Sequence, residues 1–410
     1  MIQLDMFRLD AAPPRADAPA TGRGSESSPR TTKRVAVAGL GTIGSALVGL
    51  LARYPEIGEI TLVDPDVCSA SNLWTQHVTP RDIGCRKVDV QARRLQRGRP
   101  GLRVVRLATR VENVPRGLLR NDLLIGCVDS RASRQHLSEI SWRLGVPYVD
   151  AGVEAGGLLA GVTVLPPGHD RPCLQCTWSE RDYAVIETSY ACSPHEPVSR
   201  PTGAPAALGT LAAALQALQC RLVLAADPAA VPSRQLLLDA KNLNLHVTML
   251  RRNPQCRFWH ETLQPRALAR DPATLLLGDV FEHPDAVQDA GAERSLRVEG
   301  SRFVRSLACR GCGARRERLW LAAALPPRAR RCDRCGGALV ATGADVLERL
   351  ALADCHPALL ARPLGRIGIR PRDIIGICGT AGEVWFELVG EHAHHAASPA
   401  PADAPAAPRA

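Results

Sequence analysis

From Arg34 onward the chain alternates short apolar runs of strand length with longer segments whose apolar residues recur at helical spacing. The runs "RVAVAG" (34–39), "EITLVD" (59–64), "RVVRL" (103–107), "DLLIGCV" (122–128) and "PYVDAG" (147–152) predict strands. Helices are predicted from Thr42, near Lys87–Leu95 and from Ser130, with a short helix before the fourth strand. This βαβ alternation predicts an α/β fold, a Rossmann-like, doubly wound, mostly parallel sheet. Past Gly161, "GVTVLPP", "QLLLDAK" (235–241) and "LHVTML" (245–250) predict strands that extend the sheet in antiparallel fashion, with an apolar helix over 203–225 before the last two.

The pattern also divides the chain. Residues 1–32, rich in Ala, Pro, Ser and Arg, and the His/Ala/Pro tail 391–410 are expected to be disordered. The α/β domain covers 33–262, and 263–300 is weakly patterned, as expected of a linker or irregular segment. A small module follows at 301–340. At 341–390 "GADVLERLALA" predicts a helix and "EVWFELVG" a strand. No run of about 18 uninterrupted apolar residues occurs, and the first 30 residues lack the basic end and apolar centre of a signal peptide, so a cytoplasmic enzyme is expected, with no membrane partner.

Composition adds two points. Fourteen cysteines in a chain of 410 residues, several of them in C-x-x-C pairs, point to zinc rather than disulfides. The formal charge of +10 reads as dispersed arginine, which does not favour a nucleic-acid partner. Of 51 basic residues only Lys33, Lys87 and Lys241 are lysines, so a lysine inside a motif stands out.

"AVAGLGTIGSALVG" (36–49) holds a G-x-G-x-x-G turn between the first strand and the first helix. Gly39 suits a tight turn, Gly41 lets the backbone approach a phosphate, and Gly44 lets helix and strand pack closely; the helix N-terminus favours negative charge. Asp64 closes the second strand twenty residues after Gly44, where it can bind ribose hydroxyls. These features fit a dinucleotide as well as ATP.

Three later stretches, "DPDVCSASNLWTQ" (64–76), "DIGCRKVDVQARRL" (82–95) and "GCVDSRASRQHL" (126–137), follow in an order that resembles the ThiF/MoeB/HesA-type adenylyltransferases, bacterial relatives of ubiquitin-activating enzymes. The resemblance covers about residues 33–262. It implies that the glycine turn holds ATP, with Asp64 on the ribose, Asn72 and Lys87 on the phosphates, Asp129 on Mg2+ near the α-phosphate, and Arg134 supporting that loop. Such chemistry needs cations where charge builds up and a carboxylate to place a metal. The chain departs from the family at Thr75, which stands where S-N-L-x-R-Q has arginine; Arg81, Arg86 or a partner subunit is expected to supply that cation.

The family places a C-x-x-C pair at each of two points, which together hold one zinc. Here the first is Cys173 and Cys176, and the second reads as Cys256 and His260, a Cys3His set expected to be structural. Cys309 and Cys312, separated by nineteen intervening residues from Cys332 and Cys335, have the spacing of a zinc ribbon, for which docking a partner is the expected role. Cys192 lies in the crossover stretch where relatives carry a reactive cysteine; it is a candidate thioester nucleophile, with His195 nearby in sequence. Cys68, Cys85, Cys127, Cys220, Cys355 and Cys378 read as packing residues.

The expected function is ATP-dependent adenylation of the C-terminal glycine carboxylate of a small ubiquitin-like or sulfur-carrier protein by a homodimer. A conjugating enzyme or sulfur donor would act next. An inactive scaffold of the same fold and an NAD-dependent oxidoreductase are the alternatives.

Overall fold

The computed structural model describes residues 32–184, 204–227 and 230–390. Its large sheet is built from β1 (Lys33–Ala38), β2 (Ile57–Val63), β3 (Arg103–Leu107), β4 (Leu123–Gly126), β5 (Tyr148–Glu154), β6 (Leu159–Leu165), β7 (Arg234–Asp239) and β8 (Asn244–Met249). The order is β3-β2-β1-β4-β5-β6-β7-β8. The first five strands in that order pair in parallel and the rest antiparallel, a parallel-dominant α/β architecture. The strand order reverses between β1 and β4, the switch point where open α/β sheets place their ligands.

Helices α1 (Thr42–Leu51), α2 (Lys87–Gly98), α3 (Arg131–Leu144) and α4 (Ala206–Ala225) cover the sheet. Fully buried Val35, Val37, Leu123 and Ile125 pack with Leu47 and Leu51 of α1 and with Ala212, Ala213 and Cys220 of α4. α4 is long and apolar enough to cross a membrane by composition alone, but its buried face belongs to this core. The short helix expected before β4 is two 3-10 turns, Val111–Asn113 and Arg116–Leu119.

The segment expected to be a linker is structured. It carries β9 (Arg266–Leu268), α5 (Leu277–Phe281), α6 (Pro284–Ala290) and β10 (Ser295–Val298), and it is followed by β11 (Phe303–Cys309), β12 (Arg315–Leu321), β13 (Leu339–Val340), β14 (Val346–Leu347), β15 (Leu350–Ala351), α7 (Pro357–Leu360), β16 (Ile374–Cys378) and β17 (Glu383–Leu388). One five-stranded sheet runs β15-β10-β16-β17-β9, so strands from both ends of this region close a common core around Phe281, Leu296 and Phe386. β11–β14 form a separate small sheet. Periodicity misses β9 because it is three residues long and its pairing with β17 spans more than a hundred residues.

The helix expected over "GADVLERLALA" is absent. A 3-10 turn (Gly343–Asp345) leads into β14 and β15 instead. Buried Asp345 accepts from Ser306 Oγ at 2.6 Å and Arg315 Nη2 at 2.8 Å, while Val346 and Leu347 pair with β11, so tertiary pairing overrides helical propensity.

This C-terminal region is bolted to the large domain by polar contacts. Glu387, almost fully buried, pairs with Arg120 and Arg372, each at 2.8 Å, and Arg143 pairs with Glu299 at 3.0 Å. Arg116 is buried between the two and donates to the carbonyls of Val111, Val114 and Gly300 and to His136 Nε2 at 2.8 Å. Because arginine can only donate, Nε2 of His136 must accept, and burial together with Arg116 pushes the pKa of His136 down to about 3.

Candidate active site and cysteine clusters

The glycine turn links β1 to α1. Gly39 sits at φ +91°, and a Cβ there would lie 2.4 Å from the Cys127 carbonyl oxygen; a Cβ on Gly44 would lie 1.9 Å from Gly39 O. Both positions therefore demand glycine for the fold itself. At Gly41 a Cβ would meet no protein atom within 4 Å.

Asp64 is buried just past β2, and its two oxygens accept from Leu40 N at 2.6 Å and Asp66 N at 2.9 Å. The residue expected on a ribose thus also braces the turn. Burial pushes its carboxyl pKa up, against the pull of Lys87 and the two backbone donors. Lys87, the first residue of α2, is buried and donates to Asp66 Oδ2 at 2.8 Å. Burial opposes its charge, yet Asp64 and Asp66 outweigh that cost and its pKa is raised.

Asn72 lies in a 3-10 turn, Ala70–Trp74, and accepts from Ser69 N at 2.9 Å through Oδ1. His77 N donates to Ser45 Oγ at 3.1 Å, tying this segment to α1. Thr75 donates its N–H to Asn72 O, and Arg81 and Arg86, the cations expected to replace the missing arginine, are both exposed.

Asp129 is exposed just past β4, next to Ser130, whose Oγ caps α3 by accepting from Ser133 N at 3.0 Å. Arg134 holds this loop: one guanidinium nitrogen pairs with buried Asp150 and Nη2 donates to Val128 O at 2.8 Å. Tyr148 donates to the other oxygen of Asp150 at 2.8 Å.

Two supporting residues lie outside the sequence motifs. Asp150 anchors Arg134. Gln216, fully buried in α4, donates to the carbonyls of Gly126 at 2.9 Å and Val149 at 3.1 Å and faces Cys127 Sγ, so it ties the end of β4 to β5. An acid inside an apolar strand and a glutamine inside an apolar helix were the available signals.

Two clusters of four side chains each bring their ligating atoms within 4.8 Å of one another: Cys173, Cys176, Cys256 and His260, and Cys309, Cys312, Cys332 and Cys335. His260 Nδ1 is 2.6 Å from Phe258 O and must donate, which leaves the lone pair on Nε2 toward Cys176 Sγ at 3.3 Å. That is the tautomer a metal-bound imidazole needs. In the second cluster each C-x-x-C is followed by a glycine in left-handed conformation, Gly313 at φ +70° and Gly336 at φ +71°. Both donor sets suit tetrahedral zinc. Of the cysteines read as packing residues, Cys85 is half-buried and the other five are buried. Cys192 and His195 lie outside the described residues.

The glycine turn, buried Asp64 and buried Lys87 thus stand together at the edge of a parallel-dominant α/β sheet. Residues 26–258, more than half the chain, match the profile of the ThiF family, and the chain belongs to that family. It is an enzyme of the adenylyltransferase and modifier-activating class. It is similar to the SAMP-activating enzyme E1 of Haloferax volcanii, 27% identical over 228 residues that cover 55% of this chain and 79% of that protein. It is also similar to the molybdopterin-synthase adenylyltransferase of Escherichia coli, 26% identical over 230 residues, 54% of this chain and 85% of that one. The sulfur carrier protein ThiS adenylyltransferase of E. coli is 29% identical over 150 residues, 36% of this chain and 59% of that protein.

Proposed function

We propose that this protein uses ATP to adenylate the C-terminal glycine carboxylate of a small ubiquitin-like or sulfur-carrier protein. A carboxylate oxygen attacks the α-phosphorus, the α–β anhydride bond breaks, and pyrophosphate leaves with the electron pair. The observation that carries this reading is Lys87, a buried lysine held charged between Asp64 and Asp66 beneath a glycine turn. When a triphosphate enters, this cation can exchange an internal carboxylate for a phosphate oxygen. The open space at Gly41 leaves room for a phosphate against the turn, and Asn72 would join Lys87 on the phosphates. Asp129 would hold Mg2+ beside the α-phosphate, with its loop fixed through Arg134; that ion would supply charge neutralisation in the transition state.

The acyl group then passes to a thiol or sulfur donor: the thiolate attacks the acyl carbonyl and AMP leaves. Cys192 is the proposed acceptor. Strand β8 is a sheet edge whose Leu245, Val247 and Met249 are exposed, together with Leu237 and Leu243, and this apolar surface suits a β-grasp partner. The two cysteine clusters would each hold a structural zinc. A cytoplasmic homodimer is the proposed setting. ATP–pyrophosphate exchange tests the reading, run with a panel of ubiquitin-like and sulfur-carrier proteins ending in glycine and with C-terminally amidated copies as controls. Exchange that requires a free carboxylate supports it; ATP binding without exchange by any member supports a scaffold of the same fold, the reading that Thr75 favours.

A further inference from the structure

Counted by segment, the formal charge is not dispersed. Residues 301–340 hold ten arginines against two acids, Glu317 and Asp333, a net +8 out of the chain's +10, which leaves +2 for the other 370 residues. Within this module Arg302 pairs with Glu348 at 3.3 Å, Arg315 with Asp345 at 2.8 Å and Arg316 with Asp333. The other seven arginines are exposed and form no ion pair among the described residues.

Backbone pairing gathers several of them at the cysteine end. Arg310 N donates to Ala338 O at 3.1 Å, and Arg331 bridges the same Ala338, so the two arginines flank one residue. Arg310 lies inside the first C-x-x-C and Arg334 inside the second, and the two pairs interlock, with Cys309 Sγ 3.4 Å from Cys335 Sγ and Cys312 Sγ 3.7 Å from Cys332 Sγ. The one acid at this end, Asp333, is already paired with Arg316, so the gathered like charges repel one another, and a polyanion relieves that cost.

The same surface lacks what other partners use. None of the exposed large apolar side chains among the described residues falls in 301–340, so the apolar centre of a protein interface is missing. Nor is there an open ring for stacking an unpaired base: Phe303 is fully buried, and Trp320 is half-buried with the Arg318 guanidinium 4.5 Å above its ring. Charge without apolar or aromatic anchors suits a regular line of phosphates.

We infer that this module binds the phosphate backbone of a nucleic-acid duplex, without sequence selectivity. The site is separate from the nucleotide turn and independent of the adenylation reading.

Fluorescence anisotropy of the full-length protein with a labelled 20-base-pair DNA duplex, from about 50 to 300 mM salt, tests it. The expected result is tight binding at low salt with a log–log salt slope of roughly −4 to −6, as for about five to seven neutralised phosphates. Changing Arg310, Arg331 and Arg334 together to Gln should flatten the slope by about 2.7 and weaken binding tenfold or more at 100 mM salt. A second triple, Arg305→Gln, Arg318→Gln and Arg328→Gln, lies away from the cysteines and should act alike; metal content and thermal melting show whether either variant is folded. The inference is overturned by no duplex binding at 50 mM salt, by wild-type salt slopes in both folded variants, by a single strand bound more tightly than the duplex, or by poly-glutamate competing equally per charge, which would mark a site for acidic protein.

Discussion

Lys87 Nζ donates to Asp66 Oδ2 at 2.8 Å, joining a buried lysine at the start of α2 to an exposed carboxylate just past β2. With Asp64 beside it, the lysine's pKa is raised above its ordinary value of 10.5. The stability this cation contributes is present below the unfolded pKa and lost only as pH rises through the higher folded one. The difference in urea midpoint between wild type and Lys87→Met should therefore stay constant from pH 7 to 9. A difference that shrinks between pH 7 and 9 would show a lysine with a lowered pKa.

His136 titrates in the opposite sense. Its folded pKa is about 3 against 6.5 for the free side chain, so between these values the unfolded state binds the extra proton and folding stability falls as pH falls. Glu139, Arg297 and Glu299 line the cavities beside it, and Arg116 donates to its ring. Replacing it with Gln, which keeps an acceptor, should remove a pH-dependent loss on the order of a few kcal/mol between pH 6.5 and 4. Denaturant titrations at pH 4, 5 and 7 measure this; parallel pH profiles for variant and wild type would contradict it.

The parts legible in the sequence are those set by local rules. Strands β1 and β2 each carry four successive apolar or β-branched residues, and the helix from Ser130 announces its cap, so these elements are legible to within a few residues. The second cysteine cluster is legible from its spacing, and the first from what the family resemblance implies. What spacing cannot show is which distant residue turns a motif into a site. Arg134 is fixed by Asp150 and the end of β4 by Gln216, and both pairings arise only when strands and α4 come together. The C-terminal sheet was hidden for the same reason: β10 pairs with β16 about eighty residues on.

The two clusters of four ligands predict two zinc ions per chain. Elemental analysis of purified protein should give a ratio near two, falling to near one in His260→Ala and, separately, in Cys332→Ser. Since the second cluster lies outside the large sheet, Cys332→Ser should keep most of its pyrophosphate exchange. A wild-type ratio near one that His260→Ala leaves unchanged would remove the Cys3His site.

Cys192 distinguishes a simple adenylyltransferase from one that carries its partner covalently. With ATP, magnesium and the carrier, a thioester should appear as a conjugate on a non-reducing gel and disappear on addition of thiol, which exchanges with it. Cys192→Ala should abolish the conjugate while preserving exchange, because adenylation precedes thiol attack. Survival of the conjugate in that variant would assign another acceptor, although burial pushes the thiol pKa of both Cys68 and Cys127 up and disfavours their thiolates.

ATP–pyrophosphate exchange with a glycine-ended carrier, compared among wild type, Lys87→Ala and Asp129→Ala, tests the adenylation claim most directly. Each substitution removes charge stabilisation at the α-phosphate, and each should lower exchange by roughly two orders of magnitude or more. Thr75→Arg, which restores the family's cation, should be tolerated or activating in the same assay. Carrier-dependent exchange that falls in both alanine variants is the predicted result; undiminished exchange in both would contradict the assignment of this site.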